Sequence, residues 1–516
     1  MRQSLLHSFS KILVRDLHGN LRQKEAEGAT LNDDNVFDIQ QGVVVTLAIG
    51  GGRADRLAQT FFSELWGTRN DKYRQLASSL SGSIEWRRLG LAEPFFLFVA
   101  QDDVTRAEYS RWPSLADAFI CFGSGIKTDR DELCLDSDRS RLSDRMRTLF
   151  SGKYDSQFVE QFNVRQSSSY NIIELARRTQ FSEADLTLCL YRPFDVRWLY
   201  YKRGFTSRPA WEVMQHMRPG DNIGLLSART NKSAGMDHFF CTRLLTEVKV
   251  AESTTQSCVF PLYLVHDAGG LRLGKHRTLN FTPSFLKAIS ATLALPQVGP
   301  AALPKELSGE EVVHCAYALF FSPTYRNRYA EFLKIDFPRI PLPRNVELFR
   351  SLARLGGELV ALHLLESPKL KDFITTYAGP KRPEVGRVGW SEKTVWLDAA
   401  ATKKGQPATP GTIGFRGVPE EVWNFHIGGY QVCEKWLKDR KDRTLTADDI
   451  THYHRIVIAL HETIRLMREI DEVIDAHGGW PGAFQAADAA QEPTERFLKV
   501  AESPAEYGSG KGKGKQ

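Results

Sequence analysis

No apolar run in the sequence approaches the ~20 residues a membrane-spanning helix requires, which excludes a helical membrane protein. The opening MRQSLLHSFSKILVRD has a short apolar patch broken by charge and no small-residue cleavage site, which argues against a secretory signal. Cysteine is sparse, seven in 516 residues, odd in number and without a C-x-x-C pair. Zinc sites and a disulfide framework are therefore disfavoured, and a cytoplasmic protein is expected. Nucleotide fingerprints are missing too. Gly50-Gly51-Gly52 is not G-x-G-x-x-G, and no acidic residue ends a following strand at ribose-binding distance. In Gly123-Ser124-Gly125-Ile126-Lys127-Thr128, Ile126 separates glycine from lysine, so this is no triphosphate-binding loop. A net charge of +6 permits a polyanionic partner without demanding one.

The remainder is ordinary globular material: 42% hydrophobic and 25% charged residues, in a chain long enough for two or three domains. The stretch NVFDIQQGVVVTLAIGGG, residues 35–52, reads as a strand buried on both faces, entered through Gly42 and left through glycines. Ile12-Leu13-Val14 reads as a second strand, Ala54 to Trp66-Gly67 as a helix, and FFLFVA from Phe95 as a further buried strand. The rhythm is α/β. The triple glycine is read as a flexible strand-to-helix turn ahead of a cofactor-phosphate seat.

Residues 114–184 turn polar and rich in Asp, Arg and Ser, with helical patches, and read as a connector. LTLCLYRPFDVRWLYYKRGFTSRPAW then interleaves basic with aromatic residues. Two readings fit: guanidiniums on phosphates or guanine edges beside stacking rings, or a strand with aromatics inward and arginines outward. Strands come next at Asn222–Leu226 and Val259–Tyr263, then a loose stretch over residues 267–309. Helices are predicted from Glu310, carrying a packed His314, and over Val346–Leu365, separated by the proline-punctuated FLKIDFPRIPLPRN. Val418-Pro419-Glu420-Glu421 starts another helix. Beyond it Lys435, Lys438, Arg440, Lys441 and Arg443 form the clearest basic cluster, either a solvated helix end or a phosphate clamp. Ile456, Leu460, Thr463, Met467, Ile470 and Ile474 recur at helical spacing, and the tail ends GSGKGKGKQ.

KILVRDLHGN, DDNVFDIQQGV and FFSELWGTRNDKYRQLA resemble the end of the N6-adenine methyltransferase module of type ISP restriction-modification enzymes. SGIKTDRDEL, YRPFDVRWLYY, NIGLLSART, FFCTRL and ESTTQSCVFPLY resemble the parts of those enzymes beyond that module, chiefly the target-recognition or specificity domain. The resemblance implies a partial methyltransferase-like, Rossmann-type sheet over residues 1–110, a helical connector over 111–185, a mixed α/β target-recognition domain over 186–502 ending in a long amphipathic helix, and a basic tail over 503–516. It implies double-stranded DNA as partner. Arg192, Arg197, Lys202, Arg203, Arg208 and Arg229 are candidates for the DNA face, joined by Lys435, Lys438, Arg440, Lys441 and Arg443. An adenine methyltransferase also needs an N/D-P-P-Y/F loop and a glycine-rich S-adenosylmethionine seat; the sequence has no N-P-P-Y or D-P-P-Y, and RPFD is no substitute. The expectation is a DNA-recognition component without catalytic or cofactor residues of its own, S-adenosylmethionine and catalysis coming from a separate polypeptide. A truncated, inactive remnant and a small-molecule binder using Gly50–Gly52 are the alternatives.

Overall fold

Lys11–Asp16 (β1) becomes the centre of the first sheet because its neighbours in sequence offer it an edge on each side. In this computed structural model β1 pairs antiparallel with Val44–Ile49 (β2) and parallel with Gln59–Glu64 (β3), and Arg87–Arg88 (β4) closes the order β2-β1-β3-β4. The structure describes residues 2–485 except 20–32, 40, 52–55, 79–83, 92, 94–95, 100–101, 165–170, 219, 267–275 and 401–407. It divides into two compact units, Met1–Ala107 and Glu108–Gln516.

In the first unit the doubly buried strand is β1, with Ile12 and Val14 inside, and not the longer apolar run. β2 lies at the sheet edge and leaves Val44, Val45, Leu47 and Ile49 exposed by 42–55%. An apolar run reports strand propensity; it does not report position in a sheet. The predicted helix before Trp66 is instead β3, whose Thr60 and Phe62 point inward. Gly50-Gly51 therefore leads toward a strand, so no helix N-terminus stands there among the described residues. Gly52, Phe95, Ala100 and the tail from Ser503 lie outside the described residues. Phe96–Val99 form no strand, although Phe96 is buried against Leu6, Ile12 and Phe62.

Three separate stretches of this unit meet at one ammonium group. Lys72, on the helix Arg69–Ser78, is fully buried and lies 2.7 Å from an oxygen of Asp33, while it donates to the carbonyls of Leu17 and Asp34 at 2.7 Å each. Burial opposes ionisation of Asp33, but Lys72 and the amides of Gly67 and Gly19 outweigh it and hold the carboxyl below its usual range. Gly19 has φ +79°, and a Cβ there would come within 2.4 Å of the Asn35 backbone. His18 stacks on Trp66 with ring centroids 3.4 Å apart. The Leu-His-Gly, Asp-Asn-Val-Phe and Asn-Asp-Lys-Tyr segments thus hold one another.

Of the three four-stranded sheets among the described residues of the second unit, two lie between residues 123 and 261. One is built from Gly123–Ser124 (β5), Gly224–Ala228 (β9), Phe239–Thr242 (β10) and Ser257–Pro261 (β12), in the order β10-β9-β12-β5 and antiparallel throughout. The other takes Leu135–Asp136 (β6), Leu186–Arg192 (β7), Asp195–Tyr200 (β8) and Leu245–Thr246 (β11), in the order β11-β7-β8-β6 with β11 parallel to β7. Gly123-Ser124 is an edge strand, and Gly125 packs so tightly on Glu247 that a Cβ would lie 2.7 Å from its backbone. That segment holds a sheet together and forms no phosphate loop.

One continuous hydrophobic cluster extends from Tyr109 and Trp112 to Phe484. Residues 111–185, read as a connector, supply Leu115, Leu133, Leu142, Met146 and Ile172 to it and so belong to the body of this unit. Within the stretch expected to be loose, His276–Leu279 pairs antiparallel with Tyr263–His266 just before it, and Pro283–Thr292 forms a helix capped by Thr282. The helix Gly309–Phe321 is opened by a Ser308–Glu311 capping box and packs on Val346–His363. Their approach depends on Gly356, where a Cβ would fall 1.8 Å from the His314 carbonyl oxygen. The helix Ala447–Ala476 buries Ile456, Leu460, Thr463, Ile470 and Ile474 with Met467 half-buried, as its spacing predicts. His363 joins these helices: Tyr317 lies 2.6 Å from its Nδ1, and the Thr463 hydroxyl 2.9 Å from its Nε2. Burial pushes His363 down to about 3, so the ring is neutral. No helix of the described residues is long and apolar enough to cross a membrane.

Removing the amine of Lys72 strands Asp33 and two carbonyls in the interior. Lys72→Met is expected to destabilise the first unit by about 3–5 kcal/mol, read by urea denaturation with hydrogen exchange over residues 2–107. Unchanged protection there would refute the central role of this pair.

Candidate nucleic-acid interface

The segment Tyr191-Arg192-Pro193-Phe194-Asp195 makes the turn between β7 and β8, with Phe194 at φ +60° and a register shift between Leu190 and Arg192. A bulky residue in the left-handed region is strained, and packing holds it: Phe194 is buried against Phe240 and His363, and His452 Nε2 donates to its carbonyl at 2.7 Å. Next to it Asp195 is almost completely buried. One carboxylate oxygen accepts from Arg197 at 3.0 and 3.1 Å, the other from Arg440 at 2.8 Å. Burial opposes the charge on Asp195, and the two guanidiniums overcome it, holding the carboxyl below its usual range. Arg440 also lies 3.5 Å over the Trp436 ring and donates to the Trp436 carbonyl at 3.0 Å.

The other basic residues of this stretch are committed in the same way. Arg192 donates to Glu247 at 2.6 Å and covers the Tyr191 ring at 3.9 Å, with Arg197 also 3.7 Å from that ring's centroid. Tyr191 donates to Asp131 at 3.1 Å. Lys202 donates to the Gln180 carbonyl at 2.7 Å and lies 3.1 Å from Asp185. Arg208 donates to Gln256 at 3.3 Å, and its backbone pairs with Lys127. Arg229 is half exposed and bridges to Asp336 at 3.0 Å. In the second cluster Lys435 pairs with Asp439, and Lys438 with Glu434 at 2.9 Å.

Of the eleven candidates named from the sequence, Arg203, Lys441 and Arg443 are exposed and make no side-chain hydrogen bond or ion pair among the described residues. Lys441 and Arg443 sit just beyond the helix Val432–Lys438; Arg203 sits beyond β8. The structure therefore brings Arg197 and Arg440 together inside the fold, on one carboxylate, and leaves Arg203 and the 441–443 pair on the surface.

Sequence reasoning missed further exposed cations, Lys381, Arg382 and Arg387, in the stretch GPKRPEVGR. That stretch has no periodicity, and only its pairing with residues 442–445 makes it part of an ordered surface. Among the described residues no cluster of three or more His, Cys, Asp or Glu side chains could hold a metal ion.

The fold is shared with solved restriction-modification enzymes. An ATP-dependent Type ISP enzyme, LlaBIII bound to DNA, aligns with a TM-score of 0.63 at 20% identity, covering 91% of this chain and 31% of its own. A DrdV–DNA complex aligns at 0.61 and 19%, covering 91% and 48%, and a nuclease-deletion mutant of the Type ISP enzyme LlaGI with a DNA substrate mimic at 0.59 and 17%, covering 91% and 37%. This chain spans less than half the length of each. The Type ISP C-terminal specificity domain model matches residues 117–469, and the chain belongs to that family. Among curated proteins, none matches the sequence.

Asp195→Asn leaves two largely buried guanidiniums without their anion and is expected to cost about 3–5 kcal/mol. Because the folded-state pKa of Asp195 lies below its unfolded value, its contribution is complete above the ordinary aspartate range and is lost as pH falls through the depressed folded value. Urea titrations of both proteins at neutral and acid pH should therefore converge as pH falls; a constant gap would refute the pairing.

Proposed function

We infer that this chain is a DNA target-recognition component of a restriction-modification system. The observation that carries the reading is the specificity-domain match over residues 117–469, which covers most of the second unit. The likeness to enzymes solved on DNA supports it, as do exposed cations without partners among the described residues of that unit. We assign DNA contact first to Arg203, Lys441 and Arg443, because they are exposed and without side-chain partners among the described residues. Arg192, Arg197, Lys435 and Arg440 act first as struts: a cation already held by carboxylate and ring must lose those partners before it can meet a base. Arg208 and Arg229, more accessible, can turn outward at lower cost.

In this reading the system methylates adenine N6. S-adenosylmethionine, the catalytic loop and any nuclease lie outside this sequence, in a separate polypeptide. Residues 1–110 would complete that polypeptide's methyltransferase-like sheet. The apolar edge of β2 supports this second part, since among the described residues this strand has four exposed aliphatic side chains and β1 as its one hydrogen-bonded neighbour, an edge suited to being covered.

The decisive experiment offers the purified chain a randomised duplex pool across a salt series and sequences the bound fraction. Enrichment of one short motif that persists at moderate salt is the expected result. Binding that collapses with salt and enriches no sequence would leave only a basic surface and overturn target recognition.

A further inference from the structure

Two segments far apart in sequence form one ribbon on the second unit. Glu384 bridges antiparallel to Thr444, the Val385 amide donates to the Arg443 carbonyl at 2.9 Å, and the amides of Asp442 and Leu445 donate to Val385 and Pro383 at 2.8 Å each. On its other side the ribbon is tied to the sheet containing Gly389–Ser391 and Thr394–Trp396: Gly386 donates to Leu397, and Ala399 to Arg387, each at 2.9 Å. Pro383, Val385 and Leu445 are buried beneath it and fix its position. Its outer surface carries Lys381, Arg382, Arg387, Lys441 and Arg443, all exposed. None of these makes a side-chain hydrogen bond or ion pair among the described residues. The ribbon's carboxylates are Glu384 and Asp442, so positive charge is in excess.

Arg192, Arg197 and Arg440 of this unit are paired with carboxylates where they approach the interior. The ribbon does the opposite. It carries five cations against two carboxylates on hydrogen-bonded backbone, and a row of anions at regular spacing would neutralise the excess. Cross-strand neighbours lie about 5 Å apart, and lysine and arginine on long stems can follow adjacent phosphates without reading bases. We propose that this ribbon binds the phosphate backbone of duplex DNA, holding the protein in register while other residues read sequence. The inference rests on the DNA-recognition reading and adds to it the surface that grips the backbone.

The test uses the full chain with Arg387→Ala, Lys441→Ala and Arg443→Ala combined, and separately Lys381→Ala with Arg382→Ala. These exposed positions lie outside the buried anchors, and unfolding curves establish that each variant folds as the parent does. Binding to a duplex with the selected motif and to an unrelated duplex is measured across a salt series of about 50 to 200 mM. The expected result is a shallower dependence of log K on log salt, by about 0.9 for each contact removed. Affinity for the two duplexes should fall by the same factor, with the preferred motif unchanged. Salt slope and affinity equal to the parent's, in a parent that still selects its motif, would overturn the ribbon and leave DNA recognition standing. A changed motif preference at unchanged slope would overturn it in favour of base reading. A parent that binds neither duplex but binds an acidic polypeptide would overturn both.

Discussion

The second unit depends on one buried carboxylate. Asp195 sits at the end of a strained turn and takes guanidiniums from its own strand and from beyond the helix Val432–Lys438. The turn's Phe194 reaches Phe240 and His363, and its carbonyl receives His452. Through these few residues β7 and β8 are joined to β10, to the helix Val346–His363 and to the helix Ala447–Ala476. An aspartate here costs desolvation that the two arginines must offset, and neither arginine is tolerable so deep without it. The turn cannot relax to an easier backbone without breaking that balance. This accounts for an Arg-Pro-Phe-Asp segment that looks like chemistry and does mechanical work.

The same constraint operates in the first unit, where Lys72 draws three sequence segments onto one ammonium. At both sites opposite charges meet directly, Lys72 on Asp33 and Arg197 with Arg440 on Asp195. Both are devices that fix chain segments separated by long stretches of sequence. Residues that make a stretch recognisable need not touch a substrate.

Periodic features were legible in the sequence. The seam from Ile456 to Ile474 announced its helix, Glu310 marked the start of another, and prolines marked the extended stretch before Asn345. The illegible part was non-local. Nothing in the spacing of Val43 to Ile49 says whether a strand stands at a sheet's centre or its edge, and the short QTFFSE lacks the alternation that separates a strand from a helix. The connector reading failed on packing, since a polar stretch can still place Leu133, Leu142 and Met146 inside. Charge was the least legible of all. Arg192 meets its carboxylate 55 residues away and Arg440 its own 245 residues away, so composition could not distinguish a strut from a surface contact.

If the chain recognises DNA as proposed, the division between cations paired with carboxylates and cations without partners among the described residues would explain how a mildly basic protein meets a strongly charged one. A net charge of +6 is small for 516 residues, and many of its cations are neutralised by a carboxylate beside them. Affinity for a polyanion follows the number of phosphates met by free cations and not the overall charge. In that reading the ribbon's Lys and Arg, without partners among the described residues, meet the polyanion while Arg192, Arg197 and Arg440 are committed to carboxylates and rings, which separates the two tasks. The interior pairs are shielded from salt by burial, so the fold stays intact across ionic strengths at which the exposed contacts weaken. Grip can then be tuned by surface substitution without disturbing the turn at Asp195, and the turn can be kept rigid without adding nonspecific attraction to DNA.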